Sequence, residues 1–209
     1  MHRRIILVHF WLIRHALVHP DALNFLYGTN DVAICDTTMT AEAHRYAALA
    51  ARLPRHAKLI VTPLSRTQHT ARAIFAAGYP TQPWEVEPAF VEQNFGDWQG
   101  TPIHEFANRH PAERHPFWPI AAAEIPPGGE SFADMIQRVG HALDRLTHLD
   151  EKNIIIISHG GAIRAACAHA LQLNPHQALS LAVENISLTR LDYNGCDWRL
   201  VSLNEQLST

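Results

Sequence analysis

Apolar residues along this chain gather in short runs, separated by longer Ala-rich stretches with helical spacing. The runs His9–Arg14, Lys58–Thr62, Trp84–Glu87, Asn153–Ser158, Ser187–Leu191 and Trp198–Leu203 are rich in β-branched and aromatic residues and predict strands. Four consecutive isoleucines, Ile154 to Ile157, predict a central strand covered on both faces. Helices are predicted over Ala41–Leu53, Arg66–Ala77, Phe132–Leu146 and Ala162–Leu171. Thr40 reads as the N-cap of the first, and Ser65 with Gln68 as a capping box for the second. Ser131, with Asp134 in the first turn, reads as the cap of the third. Strands alternating with helices predict an α/β fold, a three-layer α/β/α sandwich around a mostly parallel central sheet. The last two strands flank Asn194-Gly195 and predict an antiparallel hairpin at one edge.

At 209 residues the chain predicts a single domain, 1–209, large enough for one core. Residues 1–8 are expected to be a loose extension, because the apolar run from Ile5 to Ile13 exceeds the usual strand length. Residues 99–129 are rich in Pro, His and Trp with weak periodicity, and predict a cap-like insertion over the sheet edge. Met1 to Ile13 imitates a signal peptide, but His9 interrupts it, no small-residue cleavage site follows, and Arg14-His15 comes at once. A buried first strand explains the run better.

Composition narrows the partners. With 47% hydrophobic and 18% charged residues, the chain lacks the profile of a disordered one. A net charge of −3 gives no global basic field for nucleic acid or an anionic membrane. No apolar run reaches the roughly 18–20 residues that span a bilayer. Cys35, Cys167 and Cys196 are odd in number and far apart, which argues against a disulfide framework and for a reduced, cytoplasmic compartment. His104, His110 and His115 do not share one helix face, so they read as solvated cap residues and not as a metal cluster. No metal or other cofactor is expected, and a homodimer is expected only as the commonest assembly.

Chemistry collects at strand ends, where open α/β sheets build their sites. The first strand runs into Arg14-His15-Ala16. The isoleucine strand runs into Ser158-His159-Gly160-Gly161 and then a helix, whose free N–H groups favour an anion. A third strand runs into Thr62-Pro63-Leu64-Ser65-Arg66-Thr67. Two histidines and two arginines at adjacent strand ends suit a phosphate group, because guanidinium forks match its oxygens.

These residues resemble the histidine phosphatase superfamily, also called phosphoglycerate-mutase-like. Arg14-His15 resembles its Arg-His-Gly motif, and Ser65 to Ala71 its second arginine segment. Glu92-Gln93-Asn94-Phe95-Gly96-Asp97-Trp98-Gln99-Gly100 is similar to its acidic loop. Pro127 to Ser131 resembles the turn before its long helix, and Ser158 to Gly161 its second histidine turn. The segments stand in family order. Tyr27-Gly28-Thr29-Asn30-Asp31 resembles a loop of the α-ribazole-phosphate-phosphatase-like branch.

The resemblance implies a phosphoglycerate-mutase-like fold and a phosphatase acting on a small phosphorylated metabolite through a phosphohistidine, without a metal. It makes His15 the nucleophile and Glu92 the proton donor and then the base. Arg14, Arg66 and His159 become ligands of the phosphoryl group, with His159 counted among the catalytic residues. Asn24, Thr29, Glu130 and Trp118 are carried as substrate contacts, and Arg164 is read as structural. Ala16 departs from the motif glycine, which matters if that position needs a positive φ. Two alternatives stay open: a phosphoglycerate-mutase-type phosphotransferase and a non-catalytic phospho-ligand binding module. The short tail Asn204–Thr209, without lysine, favours hydrolysis over the mutase.

Overall fold

The computed structural model describes residues 7–106 and 115–208. In chain order, β1 is Val8–Arg14, followed by helices α1 (Pro20–Leu23), α2 (Asp36–Ala41) and α3 (Ala43–Arg52). Then come β2 (Lys58–Val61), α4 (Ser65–Ala76), β3 (Glu85–Val86) and α5 (Phe132–Leu146). The chain closes with β4 (Asn153–Ser158), α6 (Gly160–Leu171), α7 (Pro175–Ala178), β5 (Leu188–Tyr193) and β6 (Trp198–Glu205).

Among the described residues the strands form one sheet in the order β3-β2-β4-β1-β5-β6. The first four run parallel to one another. β5 and β6 are antiparallel to their neighbours, as the hairpin signal predicts. The isoleucine strand is central, and its side chains alternate between two cores, as a strand's period of two requires. Ile154 and Ile156 join Phe10, Leu12, Met135, Val139 and Ala166 on the α5/α6 side. Ile155 and Ile157 join Trp11, Ile13, Leu49 and Ile74 on the α3/α4 side. This is the three-layer sandwich.

Several local expectations change. The first helix begins earlier and breaks at Glu42; Thr40 lies inside α2, where its hydroxyl donates to the Asp36 carbonyl instead of capping. Ser65 is the first residue of α4 and forms no capping box; its hydroxyl and N–H both bind Asp31 Oδ1, at 2.8 and 2.9 Å. A carboxylate from another loop has taken over the job of a local cap. Ser131 does cap α5, in a reciprocal box with Asp134. β5 starts after Ser187 because Ile186 sits at φ +61°, a conformation unfavourable for a β-branched residue, and turns the chain. Val8, assigned to the loose extension, is buried and opens β1; residues 1–6 lie outside the described residues. Within residues 99–129, a turn at Ile103–Phe106 places Phe106 in a small cluster with Ile120, Leu26 and Phe95. Residues 107–114 of it, His110 included, lie outside the described residues. Among the described residues no helix is long and apolar enough to cross a membrane.

Candidate active site

Strand register brings the two histidines together. β1 and β4 are parallel with Arg14 opposite Ser158, so His15 and His159 leave adjacent strands at the same level. Neighbouring strands lie about 4.8 Å apart. The two imidazole centroids are 5.0 Å apart. β2 lies on the other side of β4 with Val61 opposite Ile157, which places Thr62 beside His159.

Hydrogen-bond partners assign the ring tautomers. His15 Nδ1 faces the Ala16 carbonyl at 2.6 Å. A carbonyl only accepts, so Nδ1 carries the proton and the Nε2 lone pair is free of it. His159 is the reverse. Arg66 Nε donates to His159 Nδ1 at 3.2 Å, so the His159 proton is on Nε2, which donates to Thr62 Oγ1 at 3.0 Å. Burial first, then the charges of Arg66 and Arg14, push His15 well below the usual histidine range, against the opposing effect of its bond to Ala16. Burial and Arg66, helped by His15 and Arg14, do the same to His159. Both rings are neutral.

The arginines are fixed by backbone carbonyls. Arg66 is fully buried; its Nη1 donates to Asn30 O at 2.8 Å and its Nη2 to Gly28 O at 2.7 Å. Its guanidinium also lies 5.3 Å from the Tyr27 ring. Arg14 Nη1 donates to Val183 O at 2.6 Å. Arg14 Nε is buried with no acceptor among the described residues. Among those residues neither arginine forms an ion pair.

Glu92 closes the site from the other side. Its Oε2 accepts from Gly161 N–H at 3.0 Å, at the amino end of α6, and its Oε1 from Gln93 N–H at 2.9 Å. This approach requires glycine at 161. A Cβ there would stand 2.1 Å from Glu92 Oε1 and 3.0 Å from the Trp118 ring.

The order of these segments along the chain fits one family model throughout. A model of the histidine phosphatase superfamily (branch 1) matches residues 10–206. The chain belongs to the histidine phosphatase superfamily. Among curated relatives, a 2,3-bisphosphoglycerate-dependent phosphoglycerate mutase of Cytophaga hutchinsonii is 30% identical over 78% of each chain. A probable phosphoglycerate mutase of Yersinia enterocolitica is 29% identical over 90% of this chain and 86% of its own. Among solved structures, a putative α-ribazole-5′-P phosphatase from Escherichia coli superposes with a TM-score of 0.80 at 22% identity, covering 97% of this chain and 98% of its own. A mycobacterial glucosyl-3-phosphoglycerate phosphatase superposes with a TM-score of 0.77 at 22% identity, covering 95% and 99%. At that identity the structural likeness establishes the phosphoglycerate-mutase-like fold.

Within this histidine phosphatase framework, Arg14, His15, Arg66, Glu92 and His159 gather at the carboxyl end of the parallel strands, through the His15–His159 ring contact, the Arg66–His159 bond and the bond of Glu92 to Gly161 at the start of α6. Trp118 joins them: its Nε1 donates to Gln93 Oε1 at 2.9 Å. The other three predicted contacts are differently employed. Glu130 is gripped by Arg138 Nη2 at 2.6 Å and Nε at 3.1 Å, and its Oε1 accepts from Asn94 N–H. It ties the acidic loop to α5. Thr29 donates both its N–H and its hydroxyl to Gln99 Oε1, each at 2.7 Å, which steadies the loop that carries the Arg66 acceptors. Asn24 is exposed at the end of α1, where its carbonyl accepts from Ile103 N–H. Ala16 has no positive φ, so the position does not demand glycine; its N–H donates to Thr70 Oγ1 at 2.9 Å.

Four groups escaped the sequence reading. Thr62 and Asn185 (whose Nδ2 donates to His15 O at 2.8 Å) carry no motif signal beyond position. Arg164, read as structural, lies beside Arg14: a Cβ on Gly160 would meet Arg164 Nη1 at 3.2 Å and Arg14 Nε at 3.3 Å. His115 is not solvated; it is 2% exposed, bonded to Ser180, and edge-on to His176 with ring centroids 4.6 Å apart. His104 is exposed, and no group of three metal-type ligands forms among the described residues.

Proposed function

We propose that this chain hydrolyses a small phosphomonoester through a phosphohistidine on His15, with no metal ion. The supporting observation is the His15 tautomer: Nδ1–H is spent on the Ala16 carbonyl, so Nε2 offers its lone pair between two ion-pair-free arginines. A neutral imidazole can attack, and its neutrality persists well into acid because burial opposes protonation.

In the first half-reaction the Nε2 lone pair attacks phosphorus, forming the P–N bond as the ester P–O bond breaks. Glu92, protonated, gives its proton to the leaving alkoxide oxygen. In the second half, the Glu92 carboxylate takes a proton from water, the water oxygen attacks phosphorus, and the P–N bond returns its electron pair to Nε2. Arg14 and Arg66 balance the charge on the equatorial oxygens, the neutralisation a metal supplies elsewhere. The buried Arg14 Nε, without an acceptor among the described residues, is a donor suited to a phosphoryl oxygen. His159 fixes Arg66 through Nδ1, and its route to a phosphoryl oxygen is the Nε2–H now given to Thr62.

Brief reaction with ³²P-labelled substrate and acid-free quenching is expected to leave an acid-labile, base-stable label on the protein. The label should be absent from His15→Ala, and chelator should not change turnover. An acid-stable label, or one that survives His15→Ala, overturns the assignment.

The names of the two curated relatives favour a second reading, in which the phosphoryl group returns to another oxygen of the substrate. With 3-phosphoglycerate supplied, isomerisation supports transfer and free phosphate supports hydrolysis.

A further inference from the structure

Arg164 lies one turn into α6, on the Glu92 side of Arg14, and two separate segments hold it. From one side the Trp118 ring packs 5.3 Å from its guanidinium carbon. From the other, Leu181 O accepts from its Nε at 2.7 Å. Two residues further on, Val183 O takes Arg14 Nη1. The segments that carry Trp118 and Leu181 come from opposite ends of the chain's second half, and one side chain joins them.

That side chain is His115. Phe117 N–H donates to its Nδ1 at 3.2 Å, which leaves its proton on Nε2, 3.0 Å from Ser180 Oγ. Each bond lands one residue before a group that touches Arg164: Phe117 precedes Trp118, and Ser180 precedes Leu181. The imidazole is buried, and it faces His176 from α7 and Arg164 from α6. Trp118 is also tied to Gln93, the neighbour of Glu92, so the same clamp reaches the acid's mount.

We propose that His115 is a positioning residue that, through Phe117 and Ser180, sets Arg164 and Arg14 against the phosphoryl group. The proposal builds on the phosphomonoesterase reading but concerns a residue that takes no part in the chemistry. Protonation of His115 puts an N–H where Phe117 N–H needs an acceptor, so the clamp opens in acid. Burial, His176 and Arg164 all lower its affinity for a proton and keep it closed at neutral pH.

The test is a double-mutant cycle between His115→Phe, which keeps the ring volume and removes both bonds, and Arg164→Met. It is read twice, as kcat/KM on p-nitrophenyl phosphate and as the Kd of orthovanadate. The vanadate arm reports the clamp even if the protein turns over no ester, so failure of the clamp and failure of the phosphatase reading are distinguishable. His115→Phe is expected to lower kcat/KM on the order of tenfold, mainly through KM, since small misplacements of binding groups are expensive. The loss should shrink to within about twofold in the Arg164→Met background. The wild-type rise of KM in acid should be missing from His115→Phe, and His115→Gln, which can still donate to Ser180, should recover part of the loss. Should His115→Phe fold poorly, Ser180→Ala takes its place in the cycle. Fully additive losses in both readouts, or an unchanged acid limb, overturn the proposal.

Discussion

The candidate site has two walls, and they are built by opposite means. On one wall, Arg14, His15, Thr62, Arg66 and His159 stand at or just beyond the ends of β1, β2 and β4, and backbone register sets their level. On the other, Glu92, Trp118 and Arg164 are placed by a few side-chain contacts each: Glu92 to Gly161 N and Gln93 N, Trp118 to Gln93, Arg164 to Leu181 O and the Trp118 ring. A sheet ladder spreads its load over many bonds, so a strand end tolerates the loss of any one. The second wall has no such reserve. Ala16 illustrates the first case: a departure from the family's motif glycine leaves His15 in register with its N–H satisfied by Thr70.

Substitutions at each wall sharpen that contrast. The largest loss is expected from Arg66→Ala, which removes a buried fork from the phosphoryl group and the partner of His159 Nδ1. By analogy with other removed electrostatic donors the effect is about 3–4 kcal/mol in kcat/KM. Near-normal turnover on p-nitrophenyl phosphate would take Arg66 out of the site. Next is Gly161→Ala. Its Cβ would fall 2.1 Å from Glu92 Oε1, whereas one at Gly160 meets nothing closer than 3.2 Å. Gly161→Ala should lower kcat on the order of a hundredfold by driving the carboxylate off the helix end, and Gly160→Ala only a few-fold. A reversed order in steady-state assays would mean that Glu92 is not the sensitive element.

The last effect is one of pH on stability. The folded pKa values of His15 and His159 lie below the unfolded value of about 6.5, so the unfolded chain binds protons first as the pH falls. Their contribution is intact above about pH 6.5 and is lost progressively below it until the folded pKa values are reached. Urea titrations from pH 7.5 to 4.5 should show this slope, and it should diminish in His15→Gln. A stability flat to pH 4.5 in the wild type would mean that the folded rings take up protons as readily as the unfolded chain does.

Legibility followed the same division. The strand positions and the four long helices could be read from apolar runs, most clearly at β1 and β4, where burial on both faces leaves a mark at nearly every residue. The strand-end histidines and arginines could be read because a motif and a strand end coincide. The errors came where long-range partners replaced local ones. Ser65 has the spacing of a capping box, but Asp31 binds it. Glu130, carried as a substrate contact, is gripped by Arg138 eight residues on. His115 belongs to a polar, weakly periodic segment, and only Ser180 and His176 make it a buried residue.

By itself the sequence determined a doubly covered central strand, the family, and which imidazoles and guanidiniums end up together, since parallel register converts similar places along two strands into proximity. The tertiary structure alone decided which nitrogen of each ring carries its proton, what holds Arg14 and Arg66, and that Arg164 lies beside Arg14 while His115 is buried against Ser180. Those outcomes depend on directional bonds between residues tens of positions apart, and a hydrogen bond's direction is not written in the order of the chain.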